Sequence, residues 1–211
     1  MKSFGKSVKG LRINNEDKIL IDDKKKLYVV ADGLGGEVAG EKASEIVIET
    51  FKEYKNENPK EELLRLVKLA HERIRKMIEN EPSLEGMSST VVAVKFENNK
   101  GYVVNVGDSP AFLLREKKLK MLTPLDRGHF SFLLTQAVGF NIEKIHENEF
   151  EIKENDKVLL CSDGLIDNLE KEKIRKILLN EKLELAVSKL INNALKSRRS
   201  PDNISVILIK V

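Results

Sequence analysis

The order of strand-like and helix-like segments along the chain constrains its fold more than any other feature of the sequence. Short apolar runs bounded by polar turns predict strands. Longer segments with apolar residues at three- and four-residue spacing predict amphipathic helices, and these come in two pairs. The predicted strands are residues 18–21, 27–31, 90–96, 102–106, 111–114, 119–122, 158–161 and 204–211, and the predicted helices are residues 41–54, 60–79, 170–179 and 183–196.

This order predicts an α+β fold, a layered sandwich in which helix pairs pack on the outside of sheets. A regular βαβ array alternates strands and helices one by one, whereas here strands and helices come in blocks. No internal repeat or linker divides the 211 residues. We therefore expect a single domain spanning residues 1–211, since a chain of this length suits one hydrophobic core.

Charge and composition argue against several classes of protein. The net charge of +3 arises from 37 basic and 34 acidic residues, with the lysines spread along the chain, so no nucleic-acid surface is indicated. No apolar stretch reaches the roughly 18 residues of a membrane span, and we expect a cytoplasmic protein without membrane insertion. The single cysteine, Cys161, lies in a strand-like run. It is expected to be buried and not to act as a nucleophile.

Aspartates stand beside several of the strand-like runs. These aspartates are Asp32, Asp108, Asp163 and Asp202. Strands would deliver them to sheet ends, where carboxylates repel one another unless a cation neutralises them. Oxygen ligands without histidine or cysteine indicate a hard ion, Mg²⁺ or Mn²⁺. Gly33, which follows Asp32, lacks a Cβ and lets a backbone carbonyl approach such an ion. The alternative is that each aspartate only begins a turn.

Six short motifs follow one another along the chain between Arg12 and Val211. They are Asn15–Asp17 with Arg12 three residues earlier, Val30–Gly36, Gly86–Thr90, Val106–Ser109, Leu160–Leu165 and Asp202–Ser205. Together they resemble the ordered motifs of the type-2C, or PPM, metal-dependent serine/threonine protein phosphatases in their bacterial form. The resemblance implies a four-layer α-β-β-α sandwich, with two antiparallel sheets flanked by helix pairs and a metal cleft at one end.

The resemblance also implies a reaction and the residues that hold its metal ions. Phosphoserine and phosphothreonine would be hydrolysed by attack of a metal-bridging water, without a phosphoenzyme, using two or three Mn²⁺ or Mg²⁺ ions. Asp32 would bridge two of these ions and is counted as catalytic for that reason. Asp163 and Asp202 would complete the first site, and the carbonyl of Gly33 would help to hold the second.

Four further residues match the family by position. Glu16 and Asp17 match the acidic pair at the second metal site. Asp108 matches the aspartate of a third, weaker site, which it would share with Asp163. Arg12 matches the arginine that binds the substrate phosphate, a catalytic and substrate-binding role that suits its planar fork of donors. The implied partners are phosphorylated proteins, in opposition to a bacterial serine/threonine kinase.

The chain departs from the family pattern around the cleft. The segment 122–140 is shorter than the usual flap region, which predicts an open metal site, and Asp126 is the candidate for a further ligand of the third metal. Leu34 stands where animal members often have a histidine that protonates the leaving group, and His129 is an alternative donor. His146 is expected in a charged loop. No histidine pair has the spacing of a zinc site.

Three other functions compete with this interpretation. A pseudophosphatase would keep the fold as a binding scaffold without turnover. A dedicated regulator phosphatase of the same fold would act on one small partner protein. The glycine-rich run at 32–36 also suggests a nucleotide-binding loop, but Asp32 and Glu37 would repel a phosphate there, so this function is disfavoured.

Overall fold

The computed structural model describes residues 1–55, 57–128, 133–197 and 201–211. The strands are β1 (Lys2–Val8), β2 (Asp17–Asp22), β3 (Leu27–Leu34), β4 (Ser88–Ser89), β5 (Val91–Glu97), β6 (Lys100–Val106), β7 (Ala111–Arg115), β8 (Lys118–Met121), β9 (His146–Glu151), β10 (Lys157–Cys161) and β11 (Ile204–Lys210). The helices are α1 (Glu37–Lys52), α2 (Pro59–Asn80), α3 (Asp163–Ile166), α4 (Lys171–Asn180) and α5 (Leu183–Ser197). Among the helices described, none has both the length and the apolar composition needed to cross a membrane.

The strands form two antiparallel sheets. One sheet has the order β1-β11-β10-β7-β8, and the other has the order β2-β3-β5-β6-β9, with the short β4 paired to the end of β3. Chain neighbours pair within blocks of the sequence, while β11 returns from the end of the chain to lie between β1 and β10. The predicted α+β architecture with two antiparallel sheets is confirmed.

Strand β3 shows why the molecule has four layers. Its side chains alternate between the two faces of the sheet, as in any strand. Val29 and Ala31 pack with residues of α1 and α2, whereas Tyr28 and Val30 pack between the sheets against Leu160 and other residues of the second sheet. Both faces are therefore buried, which is why the sequence of β3 is a continuous apolar run. Helices α4 and α5 cover the second sheet in the same way.

Besides the two-residue β4, two strands escaped the sequence prediction, and both of these lie at the edge of a sheet. Strand β1 pairs only with β11, and β9 pairs only with β6. Their side chains are mostly polar or charged, because an edge strand is held by its backbone and charges on it discourage pairing with other chains. His146 is the first residue of β9. Its prediction as a loop residue is therefore wrong.

Two glycines allow backbone segments to pack closer than any side chain would permit. A Cβ on Gly33 would lie 1.9 Å from the carbonyl oxygen of Gly40 in α1. A Cβ on Gly164 would lie 2.0 Å from the carbonyl oxygen of Asn203. Each glycine follows an aspartate of the predicted site. The Asp-Gly pairs therefore serve the packing of the cleft walls as well as any contact with an ion.

The packing between the sheets should dominate stability. Leu160 is fully buried there, so Leu160→Ala should lower the free energy of unfolding by about 2–5 kcal/mol through lost burial and the cavity left behind. The matched control is Leu185→Ala on α5, where the leucine is 50% exposed and the change should stay within about 0.5 kcal/mol. Urea unfolding followed by circular dichroism measures both. Equal losses would contradict a core centred between the sheets.

Candidate metal centre

Two aspartates meet where β2 and β3 pair. Asp17 lies directly opposite Asp32 in the register of these strands. Asp32 has the same strand parity as Tyr28 and Val30, which pack between the sheets, so its side chain faces the space between the two sheets. Opposed residues of a pair share a face, and Asp17 therefore points to the same space. The strand pair thus places two carboxylates side by side at one end of the sandwich.

The second sheet supplies carboxylates to the same end. Asp163 is the first residue of α3, which begins directly after β10, and Asp202 precedes β11. Ser162, between β10 and α3, donates a hydrogen bond from Oγ to Asp17 Oδ2 at 2.7 Å. This bond joins the two sheets beneath the acidic residues.

Asn203 fixes the loop that carries Arg12 and Glu16. Its Nδ2 donates to the carbonyl oxygens of Lys9 at 2.8 Å and Asn14 at 2.9 Å. Its Oδ1 accepts from the backbone N–H of Glu16 at 2.8 Å. The loop between β1 and β2 is therefore tied to the residue that follows Asp202. Asn203 belongs to the last of the six motifs, but the sequence predicts no role for it, since its partners lie about 190 positions away in the chain.

The predicted residues converge on one cleft. Its volume is about 910 Å³, and its lining includes seven of the eight predicted site residues, namely Arg12, Glu16, Asp32, Gly33, Asp108, Asp163 and Asp202. The eighth, Asp17, is only 1% exposed and lies opposite Asp32 on the neighbouring strand. Leu34, Leu133 and Phe140 also line the cleft. The structure thus brings together side chains that the sequence places throughout the chain.

The carboxylates perturb one another strongly. Burial, followed by the charges of Asp17, Asp163, Asp202 and Asp108, raises the pKa of Asp32 well above its usual range. Burial is the largest cause at Asp163 as well, where the charges of Asp108 and Asp202 add to it and raise the pKa to about 8. Burial also raises the pKa of Asp17 to about 6. Such a cluster favours a bound cation, which removes the cost of keeping these groups ionised together.

The donor set fits hard divalent cations in its chemistry. All of the candidate ligands offer oxygen, and the Oδ1 atoms of Asp17 and Asp163 are buried without a hydrogen-bond partner. Within the four described stretches of chain, however, no three acidic, histidine or cysteine side chains are placed as ligands of a single ion. Arginine side chains instead donate hydrogen bonds to some of the candidate ligand oxygens. Arg12 Nη2 donates to Asp202 Oδ2 at 2.9 Å, for example.

Two further residues contact or line the cleft, and the sequence did not point to either of them. Arg127 donates from Nε to Asp108 Oδ2 at 2.5 Å, from Nη2 to Asp163 Oδ2 at 3.2 Å and from Nη1 to Asp167 Oδ1 at 2.8 Å. Asp167 could have been found, because it stands four residues after Asp163, a spacing that places two side chains on one face of a helical turn. No local pattern marks Arg127.

Other residues named from the sequence have different outcomes. The carboxylate of Asp126 accepts hydrogen bonds from Gly107 N at 2.8 Å and Gln136 Nε2 at 2.6 Å and contacts His146 Nε2 at 2.7 Å. Both of its oxygens are therefore engaged, and Asp126 is not among the residues that line the cleft, so its role as a metal ligand stays a prediction. The burial of Cys161 is confirmed. His129 lies outside the described residues.

Comparison with known proteins identifies the family. A profile described as protein phosphatase 2C matches residues 5–197. The chain belongs to the protein phosphatase 2C family. It is 32% identical over 235 residues to the serine/threonine protein phosphatase PstP of Mycobacterium tuberculosis, with all of this chain aligned but only 45% of that relative's length. It is 29% identical to the serine/threonine phosphatase stp of Listeria innocua, across 95% of this chain and 91% of the relative.

Solved structures of family members share the whole architecture. The crystal structure of M. tuberculosis PstP/Ppp superposes with a TM-score of 0.93 at 30% identity, covering 100% of this chain and 98% of that one. The catalytic domain of PstP in complex with two manganese ions superposes with a TM-score of 0.90 at 31% identity, covering 98% and 96%. The four-layer sandwich is therefore the fold of this phosphatase family.

The raised pKa of Asp163 predicts how stability depends on pH in the presence of a chelator. An unfolded aspartate titrates near about pH 4, so between that pH and about 8 the folded chain binds more protons than the unfolded chain. The contribution is fully present below about pH 4 and is lost as the pH rises through about 8. Thermal midpoints of wild type should therefore fall relative to those of Asp163→Asn across this window. Parallel pH profiles would contradict the shift.

Proposed function

We propose that residues 1–211 form one phosphatase catalytic domain that hydrolyses phosphoserine and phosphothreonine in proteins, with two divalent cations, Mn²⁺ or Mg²⁺. The observation that carries this proposal is the convergence of Asp32, Asp163 and Asp202, which lie in or beside separate elements of the two sheets, on one cleft. The membership in the protein phosphatase 2C family supports it. The structure of the PstP catalytic domain in complex with two manganese ions supports it as well.

The chain's own carboxylates divide between two cation sites in this proposal. Asp32 would contribute to both sites. Asp163 and Asp202, from the second sheet, would complete one site, while Glu16 and the carbonyl of Gly33, from the first sheet, would complete the other. When bound, the cations would supply Lewis acidity that activates water and neutralises charge on the phosphoryl group.

Asp17 supports this arrangement from below the cleft. It is almost fully buried, it lies opposite Asp32 across the β2–β3 pair, and it accepts a hydrogen bond from Ser162. These contacts tie the start of β2, opposite Asp32, to the second sheet. The Oδ1 atom of Asp17 is buried without a hydrogen-bond partner, so it would serve as an acceptor for the second cation site or for a water bound there.

Arg12 is placed to bind the substrate phosphate. Its side chain is 56% exposed at the cleft, and its contact with Asp202 orients the guanidinium towards the acidic residues. The hydrogen bond that Arg12 donates to Asp202, followed by the negative charge of Asp202, raises the pKa of Arg12, which keeps the guanidinium ionised. A planar guanidinium offers paired donors to phosphate oxygens, which the carboxylates around it would otherwise repel.

The partners follow from the same proposal. Phosphorylated proteins are the substrates, and the opposing enzyme is a serine/threonine kinase of a bacterial type. The cytoplasmic location is proposed from the sequence, which has one cysteine and no long apolar stretch. A scaffold without turnover is not favoured, since every carboxylate that the reaction needs is retained in the cleft. A dedicated regulator phosphatase would share this chemistry and differ only in its substrate.

The metal-dependent reaction is tested by removing the central carboxylate. Asp32→Asn keeps the shape of the side chain but removes the charge, so hydrolysis of a phosphothreonine peptide in Mn²⁺ should fall by at least about 100-fold. The matched control is Glu45→Gln, a carboxylate-to-amide change at an exposed position of α1, which should leave the rate unchanged. A chelator should abolish wild-type activity. Metal-independent hydrolysis, or full activity in Asp32→Asn, would overturn the proposal.

The role of Arg12 predicts a loss in binding of the phosphate. Arg12→Ala removes hydrogen bonds between charged groups, worth about 1.5–3 kcal/mol, so kcat/KM should fall by about ten- to a hundredfold, chiefly through KM. Arg75→Ala, at an exposed position of α2, is the control. Steady-state kinetics with a small aryl phosphate measure both variants, because that substrate offers little besides its phosphate. An unchanged KM would remove Arg12 from substrate binding.

A further inference from the structure

Arg127 lies against three carboxylates that line the cleft. Its side chain is 13% exposed, while those of Asp108, Asp163 and Asp167 are 3%, 23% and 15% exposed. The guanidinium donates to all three, with a second contact from Nη2 to Asp167 Oδ2 at 3.4 Å. The acids come from the end of β6 and from the short helix α3. One cation of the chain thus joins carboxylates of both sheets.

The loop that carries Arg127 is anchored independently of these contacts. The backbone N–H of Asp126 donates to Gly107 O at 3.1 Å, and Asp126 Oδ2 accepts from Gly107 N at 2.8 Å. Asp126 O accepts from Thr135 N at 2.9 Å. Gly107 directly precedes Asp108. The loop is therefore fastened to the turn that positions Asp108, and Arg127 is brought to the acid by the backbone.

The two carboxylate oxygens of Asp163 have different surroundings. Oδ2 accepts from Arg127, whereas Oδ1 is buried and has no hydrogen-bond partner. One oxygen is thus left for a cation beside Asp32 and Asp202. Asp108 is held more tightly, since its Oδ2 accepts from Arg127 at 2.5 Å and the residue is only 2% exposed.

From this geometry we propose that Arg127 takes the place of a metal ion beside Asp108 and Asp167, so that the cleft binds two divalent cations and no third. A guanidinium keeps its charge at every physiological pH and is tethered to the site, so a dissolved ion must displace it to reach these oxygens. Mg²⁺ and Mn²⁺ also need several oxygen ligands at about 2.0–2.2 Å. The carboxylate oxygens of Asp108 and Asp167 instead accept hydrogen bonds from Arg127, which occupies the space that such an ion would need. The inference rests on the two-cation function proposed above.

The number of bound Mn²⁺ ions tests the inference without reference to activity. Free Mn²⁺ is measured by electron paramagnetic resonance while the intact chain is titrated. Wild type should bind two ions, and Asp108→Asn should also bind two, because Asp108 is not a metal ligand. Arg127→Met is uncharged and of similar length, and it should bind a third ion. Arg127→Met combined with Asp108→Asn should return to two.

Controls separate this inference from the proposed function. Arg175→Met removes an arginine that pairs with Glu172 on α4, and it should keep two ions. Should Arg127→Met fail to fold, the comparison of wild type with Asp108→Asn still decides. If wild type binds a third ion and Asp108→Asn abolishes its binding, the inference is overturned. It is also overturned if folded Arg127→Met binds only two ions. Both results leave the proposed function intact. No Mn²⁺ binding by wild type would overturn both.

Discussion

The repulsion between carboxylates gathered at one end of two packed sheets governs this structure. Burial and neighbouring charge raise the pKa values of Asp32 and Asp163 together, so neither residue can be ionised cheaply without a counter-charge. The apolar seam between the sheets supplies the rigid support that keeps them close. A site of this kind gains its affinity for cations from the strain of holding like charges together, which the rest of the fold must outweigh.

The sandwich brings the carboxylates together through few contacts. The register of β2 and β3 places Asp17 against Asp32, Ser162 joins Asp17 to the second sheet, and Asn203 ties the loop of Glu16 to the start of β11. Each contact uses backbone groups or short side chains, which have little conformational freedom to lose. The cleft is therefore built on strand ends and short turns, where positions are held more accurately than on long loops.

The two arginines that contact the cleft carboxylates balance the negative charge in different ways. Arg12 is more than half exposed and has one contact with Asp202, so it can exchange that partner for an incoming anion. Arg127 is mostly enclosed and contacts three acids, and its loop is fastened to the turn before Asp108. The guanidinium of Arg12 therefore suits the reversible binding of an anion, whereas that of Arg127 stays bound to the carboxylates that line the cleft.

The sequence by itself determined the four long helices, the buried strands and most of the acidic residues of the cleft, because period-two and period-3.6 patterns and short ordered motifs are local. It did not reveal the edge strands β1 and β9, whose polar side chains carry no apolar pattern. Nor did it reveal that Asp126 anchors a loop, or that Arg127 binds carboxylates 19 to 40 residues away. Only the tertiary structure decided these points, since such contacts depend on which loops the two packed sheets bring together.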